Sequence, residues 1–296
     1  MRLLDRIASH QNVSVQYADT RDVDALRNLV SSRTRLILIE TPSNPLFRIS
    51  DIAEVSLIAR EAGAYLAVDN SMLSPIFQRP IVSGADIVVH SATKFLCGHS
   101  DVTAGALITN DPALHEQFSF QQNAEGAGLS PFESWLLLRG LKTLALRVEH
   151  QNSSAGKIAR FLRTRGEVAQ VFYPGLDEHP SREVHQKQAS GNGAVVSFTT
   201  GDAKLSSAIV ESTRLFKVAV SFGSVGSTIS LPCRMSHASI PSELRDRLAP
   251  PSDLVRISVG IEDVDDLLED LEHAFELSSR HKELEEARLI LASAST

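Results

Sequence analysis

Short apolar runs alternate with helix-period segments through the first half of the chain. Leu36-Ile-Leu-Ile39, Tyr65-Leu-Ala-Val68 and Ile87-Val-Val89 are too short for helices and too continuously apolar for strands with one face in water. They predict strands buried within a mostly parallel sheet. Between the first two, Ser50 to Gly63 sets Ile52, Val55, Ile58 and Ala59 on one helical face and stops at a glycine. A shorter helix is predicted from Asp22 to Leu29, capped by Thr20 or Asp22. Upstream, Leu3 to Ser9 reads as a helix tail, and the period-two alternation of Asn12-Val-Ser-Val-Gln-Tyr17 predicts a strand. A further strand is expected within Thr103 to Thr109.

Downstream the pattern changes. Ser130 caps and Pro131 opens a helix that runs to about Thr164, interrupted near Gly140. A helix of that length links two domains, so the boundary is expected near Arg147. Strands then follow at Val168 to Tyr173, Ala194 to Thr199, Val218 to Phe222 and Val255 to Val259, with helices at Lys204 to Leu215 and Val264 to Phe275. The expected organisation is α/β: a large, mostly parallel sheet domain over 1–147, a smaller C-terminal α/β domain over 148–277, and a charged tail over 278–296.

The strand ends carry the chemistry. In parallel α/β sheets ligands bind outside the carboxyl ends of the strands. Three successive strands here leave the core at Asn44, at Asp69, and at Ser91 with Thr93 and Lys94. Any one polar exit is unremarkable; three on one sheet edge read as a site. Lys94 stands on a rigid element beside two hydroxyls able to bind an anion, and a partly desolvated lysine can attack a carbonyl to form a Schiff base. Lysine, carboxylate and paired hydroxyls match the needs of pyridoxal 5'-phosphate: an amine for its aldehyde, an acid to keep its ring nitrogen protonated, and donors for its phosphate. The same residues would equally suit an aldolase that works without a cofactor.

Composition narrows the partners. A formal charge of −7 and a pI near 5.8 argue against nucleic acid or an anionic membrane. Cys97 and Cys233 lie far apart, match no metal spacing, and fit reduced thiols of a cytosol-like compartment. No apolar run approaches the ~18 residues of a membrane span. Asp5 and Arg6 interrupt any signal-peptide core at the start. No metal site is expected: His90 and His99 read as packing residues, Gly223 to Gly226 as a structural turn, Glu262 to Asp266 as an acid-rich first helical turn, and Cys97 as a small core residue.

Four separated segments, Glu40-Thr-Pro-Ser-Asn-Pro45, Val68-Asp-Asn70, Ser91-Ala-Thr-Lys94 and Val255-Arg-Ile-Ser-Val-Gly-Ile-Glu-Asp263, resemble the transsulfuration family of pyridoxal-phosphate enzymes, over about Leu3 to Phe275. Three further segments, His90 to Asp101, Gly126 to Phe132 and Pro232 to Ile240, resemble its eukaryotic β-lyase branch. The resemblance implies the type I, aspartate aminotransferase-like fold. It implies Lys94 as the residue that captures the cofactor, Asp69 on the ring nitrogen, Ser91 and Thr93 on the phosphate, and Asn44 by the phenolic oxygen. Ser221 would orient Lys94 and the substrate, and Arg256 would clamp the substrate carboxylate. Phe222 is left out of the expected site. The implied reaction is β-elimination of cystathionine in methionine biosynthesis, with the γ-synthase and γ-lyase reactions and a silent subunit as alternatives. A homodimer or homotetramer in the cytoplasm is expected, with a plastid left open. In that family a segment before the position of Met1 supplies a ring-stacking tyrosine, a phosphate-binding glycine loop and residues reaching a neighbour's site. A fragment, or a short form without activity, is therefore the expectation for the chain as it stands.

Overall fold

The computed structural model describes Leu4, residues 8–235 and residues 249–293, with side chains over 10–235 and 249–280 in addition to Leu4. Three apolar runs form β1 (Leu36–Glu40), β2 (Tyr65–Asp69) and β3 (Ile87–Ser91), parallel and in that spatial order; β4 (Gly105–Ile108) joins β3 antiparallel. In register, Glu40 sits beside Asp69, and Asp69 beside Val89. The three polar exits therefore share one edge of one sheet.

The helices follow from their caps. Asp22 accepts from Ala25 N–H at 2.9 Å and opens α1 (Val23–Leu29). Asp51 accepts from Ala53 and Glu54 N–H and opens α2 (Ile52–Glu61), whose Ile52, Val55, Ile58 and Ala59 are buried against β1 and β2. Gly63 ends it at φ 66°. A one-turn helix α3 (Ser74–Phe77) follows β2, and α4 (Pro112–Ala124) follows β4. The long helical stretch is split as expected near Gly140, into α5 (Pro131–Leu141) and α6 (Leu144–Thr164). A side-chain carbon at Gly140 would collide with the Cys97 carbonyl, so the helix needs glycine where it crosses the loop after Lys94.

The second sheet comprises β5 (Gln170–Phe172), β6 (Val195–Thr199), β7 (Lys217–Val218), β8 (Thr228–Ser230) and β9 (Val255–Ser258) in spatial order β5-β6-β9-β8-β7. Its pairs are antiparallel except β7 with β8. With α7 (Arg182–Gln188), α8 (Ala203–Ser212) and α9 (Val264–Ser293) it closes over a separate core containing Ile158, Leu162, Phe198, Ile257 and Phe275.

Three expectations change. Residues 12–17 form no strand; they run irregular and mostly exposed, because alternation makes a strand only where a ladder partner is available. The strand expected over Val218 to Phe222 ends at Val218, since Ser221 and Gly223 turn the chain at φ 84° and 89°. Glu262 lies before α9, where its carboxylate accepts from Ser227 N–H at 2.7 Å and from Ser227 Oγ at 2.9 Å, so it ties a turn rather than meeting the helix dipole. Residues 236–240 of the segment ending at Ile240, and most of Leu3 to Ser9, lie outside the described residues with side chains.

Candidate active site

Lys94 sits in a tight turn directly after β3. Lys94 N–H donates to Ser91 O at 3.0 Å, Cys97 N–H to Ala92 O at 3.0 Å, and Gly98 N–H to Lys94 O at 2.8 Å. Beneath the turn lies Arg147 of α6, 5 % exposed. Its guanidinium donates to Phe95 O at 3.0 Å, Leu96 O at 3.4 Å, Gly140 O at 2.9 Å and Thr143 Oγ1 at 3.1 Å. The carbonyls that the turn leaves without helical partners are thus satisfied by one side chain.

Above the turn comes the loop that follows β7. Lys94 Nζ donates to Ser221 Oγ at 2.6 Å and stands 4.9 Å from the centre of the Phe222 ring. Gly223 approaches so closely that a side-chain carbon there would be 2.7 Å from Phe95 N. Val225 N–H donates to Gly98 O at 2.9 Å. Ser221 holds φ 84°, a conformation that non-glycine residues adopt only when their surroundings enforce it.

Arg256, in the central strand β9, is 2 % exposed. Nη1 donates to Asn44 Oδ1 at 2.9 Å and Nη2 to Ser221 O at 3.0 Å; the group also lies 5.5 Å from the Phe222 ring centre. Each terminal nitrogen keeps a second N–H. Among the described residues no carboxylate pairs with Arg256. Desolvation lowers its pKa to about 10, and a buried guanidinium that keeps uncommitted N–H groups can take an anion. Burial, then the charge of Arg256, lowers the pKa of Lys94.

The remaining expected residues line the same edge. Asp69 Oδ1 accepts from Ser71 N–H at 2.9 Å, and Ser71 Oγ accepts from Ser91 N–H at 2.7 Å, which joins the ends of β2 and β3. The Ser91 hydroxyl makes no hydrogen bond to a described residue. The Thr93 hydroxyl accepts from Ala104 N–H at 2.9 Å and lies 3.3 Å from Ala104 O, so its proton is drawn toward β4. His90 is buried, with its pKa lowered by desolvation and Nδ1 without a partner among the described residues. His99 Nδ1 lies 2.7 Å from Cys97 O, and Cys97 Sγ lies 3.2 Å from Asp101 Oδ1. Among the described residues no group of three or more His, Cys, Asp or Glu could hold a metal ion. A cavity of about 400 Å³ between residues 46–48 and 168–181 lies away from Lys94. Of its arginines, Arg21 and Arg163 are already paired with Asp19 and Glu178.

Sequence reasoning left Phe222 out of the site, though its ring lies against both cations, and missed Arg147. A family model described as "Cys/Met metabolism PLP-dependent enzyme" matches residues 1–276. The chain belongs to that family. Over 274 residues it is 50 % identical to a cystathionine beta-lyase, chloroplastic, of Arabidopsis thaliana, a match covering 93 % of this chain and 59 % of the relative. A cystathionine beta-lyase of Neurospora crassa is 49 % identical over 92 % of this chain and 60 % of its own length. The chain therefore spans about three fifths of these relatives. The crystal structure of cystathionine gamma-lyase from Lactobacillus plantarum, complexed with L-serine, superposes with a TM-score of 0.90 at 39 % identity, covering 93 % of this chain and 72 % of that one. The fold is thus the type I fold of pyridoxal-phosphate enzymes, as the resemblance of the sequence motifs implies.

Pyridoxal phosphate is the cofactor of this family, and the residues present fit it. Lys94 has a depressed pKa, Ser91 offers an uncommitted hydroxyl at the strand end, Asp69 ends the neighbouring strand, and Arg256 offers open N–H groups to an anion.

Proposed function

We propose that this protein is a carbon–sulfur lyase that cleaves L-cystathionine by β-elimination to homocysteine, pyruvate and ammonia. The observation that carries the reading is the pairing of an amine of lowered pKa, Lys94, with the uncompensated guanidinium of Arg256, both held on Ser221. Pyridoxal phosphate, when bound, supplies the electron sink that makes an amino acid's α-proton acidic. The rest falls to the chain. Arg256 takes the substrate carboxylate as a fork, a geometry lysine cannot reproduce. Lys94 Nζ takes the α-proton, and it or a neighbouring group returns one to the departing sulfur. Asp69 keeps the ring nitrogen protonated, Ser91 and Thr93 hold the phosphate, and Asn44 stands by the phenolic oxygen while fixing Arg256. Ser221 accepts from Lys94 and sets its direction.

The γ-lyase reaction is the second reading, favoured by the likeness to the Lactobacillus plantarum structure. Supplying cystathionine and separating the keto-acid products tests both. Pyruvate with homocysteine supports the β-lyase; 2-oxobutyrate with cysteine moves the assignment to γ-lyase. Bound cofactor with neither product marks a silent subunit.

Self-association into a homodimer or homotetramer is part of the proposal, supported by Phe120, Phe132, Trp135 and Leu138, each more than half exposed on α4 and α5. Among the described residues no helix is long and apolar enough to cross a membrane. Two free cysteines favour a reducing compartment, the cytoplasm or, given the name of the Arabidopsis relative, a plastid.

A further inference from the structure

We propose that Glu40 and Asp69 act as one unit that carries a single negative charge until a cation is set against Asp69, Glu40 giving up its proton as that cation arrives. The inference rests on the assignment of Asp69 to the cofactor's ring nitrogen. Glu40 and Asp69 are the last residues of β1 and β2 and are direct register partners in a parallel pair. Their side chains leave the sheet on the same face, from strands about 4.8 Å apart. Two charged carboxylates at that spacing repel, so one of them keeps a proton more readily than a lone acid would.

The surroundings decide which one. Asp69 accepts a hydrogen bond from Ser71 N–H at 2.9 Å, and its charge also reaches His90 on β3. Asp69 supplies the charge acting on Glu40, and the Asn44 backbone N–H has a smaller, opposing influence on it; no Lys, Arg or His pairs with it among the described residues. Glu40 keeps open surface, yet its carboxyl stands amid packed protein. That crowding first, and the Asp69 charge second, push its pKa up to about 7. Glu40 is the member that holds the proton.

The consequence is a linkage. A positive ring nitrogen at Asp69 removes part of the repulsion, which releases the proton of Glu40 and adds a second negative charge beside the ring. Binding of such a ring then tightens as pH rises through 7. The Asn44 backbone acts on Glu40, and Asn44 Oδ1 accepts from Arg256 at 2.9 Å. Glu40 is thus a positioning residue that connects the ring-nitrogen partner to the substrate clamp.

The test uses the 296-residue chain and pyridoxine 5'-phosphate, which has the ring nitrogen and the phosphate but no aldehyde for Lys94. Calorimetry in buffers of different ionisation enthalpy counts the protons released on binding. The wild-type chain is expected to release more than Glu40→Gln near pH 6.5 and the same number near pH 8.5, and its affinity advantage over Glu40→Gln should grow between those values. Carbon-13 titration of Glu40 without ligand is expected to give a midpoint well above the carboxylate range that falls in Asp69→Asn. An ordinary midpoint indifferent to Asp69→Asn overturns the proposal, as does equal proton release in wild type and Glu40→Gln while Asp69→Asn weakens binding. If Asp69→Asn binds the probe as well as wild type does, the assignment of Asp69 fails, and this inference with it.

Discussion

Two buried arginines bracket Lys94, and they are built for opposite purposes. Below the turn, Arg147 is 5 % exposed and gives its donors to three backbone carbonyls and a hydroxyl of its own protein. Above it, Arg256 is 2 % exposed and gives one N–H from each terminal nitrogen to Asn44 and Ser221, leaving the others open. Neither has a carboxylate partner among the described residues. Burial alone therefore does not mark a functional cation; what the donors are committed to does. Arg147 completes the backbone accounting of the lysine turn, whereas Arg256 awaits an anion.

Lys94, between them, is where the largest effect is expected. Lys94→Ala removes the amine on which both regions converge, and loss of proton transfer alone lowers turnover by about 10²–10⁴-fold. Borohydride reduction in the presence of pyridoxal phosphate, followed by peptide mapping, should label Lys94 above every other lysine. A dominant label elsewhere would break the comparison at its centre.

The arginines themselves should separate by what they lose. Arg147→Ala leaves two buried carbonyls, Phe95 O and Leu96 O, without their donor, at about 1–3 kcal/mol each, while Gly140 O keeps Thr143 N–H; that is a sizeable part of a domain's roughly 5–15 kcal/mol of stability. Denaturant unfolding should show the loss directly. Arg256→Ala relieves the burial of a charge without a counter-ion among the described residues and leaves only the part-buried Asn44 Oδ1 and Ser221 O to find water, so its cost to the fold should be smaller than that of Arg147→Ala. Substrate affinity should instead fall by roughly 10²–10⁴-fold, from two charge-assisted hydrogen bonds of about 1.5–3 kcal/mol each. Arg256→Lys should weaken amino-acid binding while leaving cofactor content largely intact. Equal destabilisation by both alanine variants would erase the distinction.

The sequence made one of these regions far more legible than the other. Asn44, Asp69, Ser91 and Lys94 fall at the ends of apolar strands, and the rule that ligands gather there needs only strand order. Arg256 became legible through its motif. Arg147 sits in the first turn of α6, between Leu146 and Val148, and nothing local reports that its guanidinium passes under a loop about fifty residues upstream. Phe222 was named but left outside the site; its ring meets Lys94 only once Ser221 and Gly223 turn the chain at positive φ. Helix α4 escaped notice because only Leu114 is buried along it, which leaves no apolar stripe to recognise. The small sheet kept its strands, but three-residue β8 carries too little pattern to announce itself.

A pair of glycines sharpens the same contrast at smaller scale. Gly223 and Gly63 both have positive φ, 89° and 66°. A side-chain carbon at Gly63 would meet nothing within 4 Å, whereas at Gly223 it would press on Phe95 N at 2.7 Å. Gly63→Ala should cost about 1 kcal/mol of stability and leave turnover alone. Gly223→Ala must push the 219–226 loop off the lysine turn, so turnover should drop well beyond any change in unfolding midpoint. Matching losses in both variants would show that the seam tolerates displacement.

The smallest effect tests the hydroxyl between the two cations. Ser221 Oγ accepts from Lys94 Nζ at 2.6 Å, which favours the charged amine, while burial and the charge of Arg256 favour the neutral one. Ser221→Ala should therefore lower the Lys94 pKa further, and Arg256→Met should raise it. Reductive labelling of Lys94 reads this directly, because its rate follows the neutral fraction; below the midpoint, Ser221→Ala should label up to about tenfold faster. Folding carries the same signature with a definite sign. With the folded pKa below the ordinary lysine value, the unfolded chain holds more protons between the two, so this residue makes stability rise with pH across that window. Its penalty is fully present below the folded pKa and disappears above the ordinary value. Lys94→Met should flatten that slope, and Ser221→Ala should extend it toward lower pH. Labelling midpoints that move in the same direction for Ser221→Ala and Arg256→Met would mean that geometry, rather than opposed electrostatics, sets the amine.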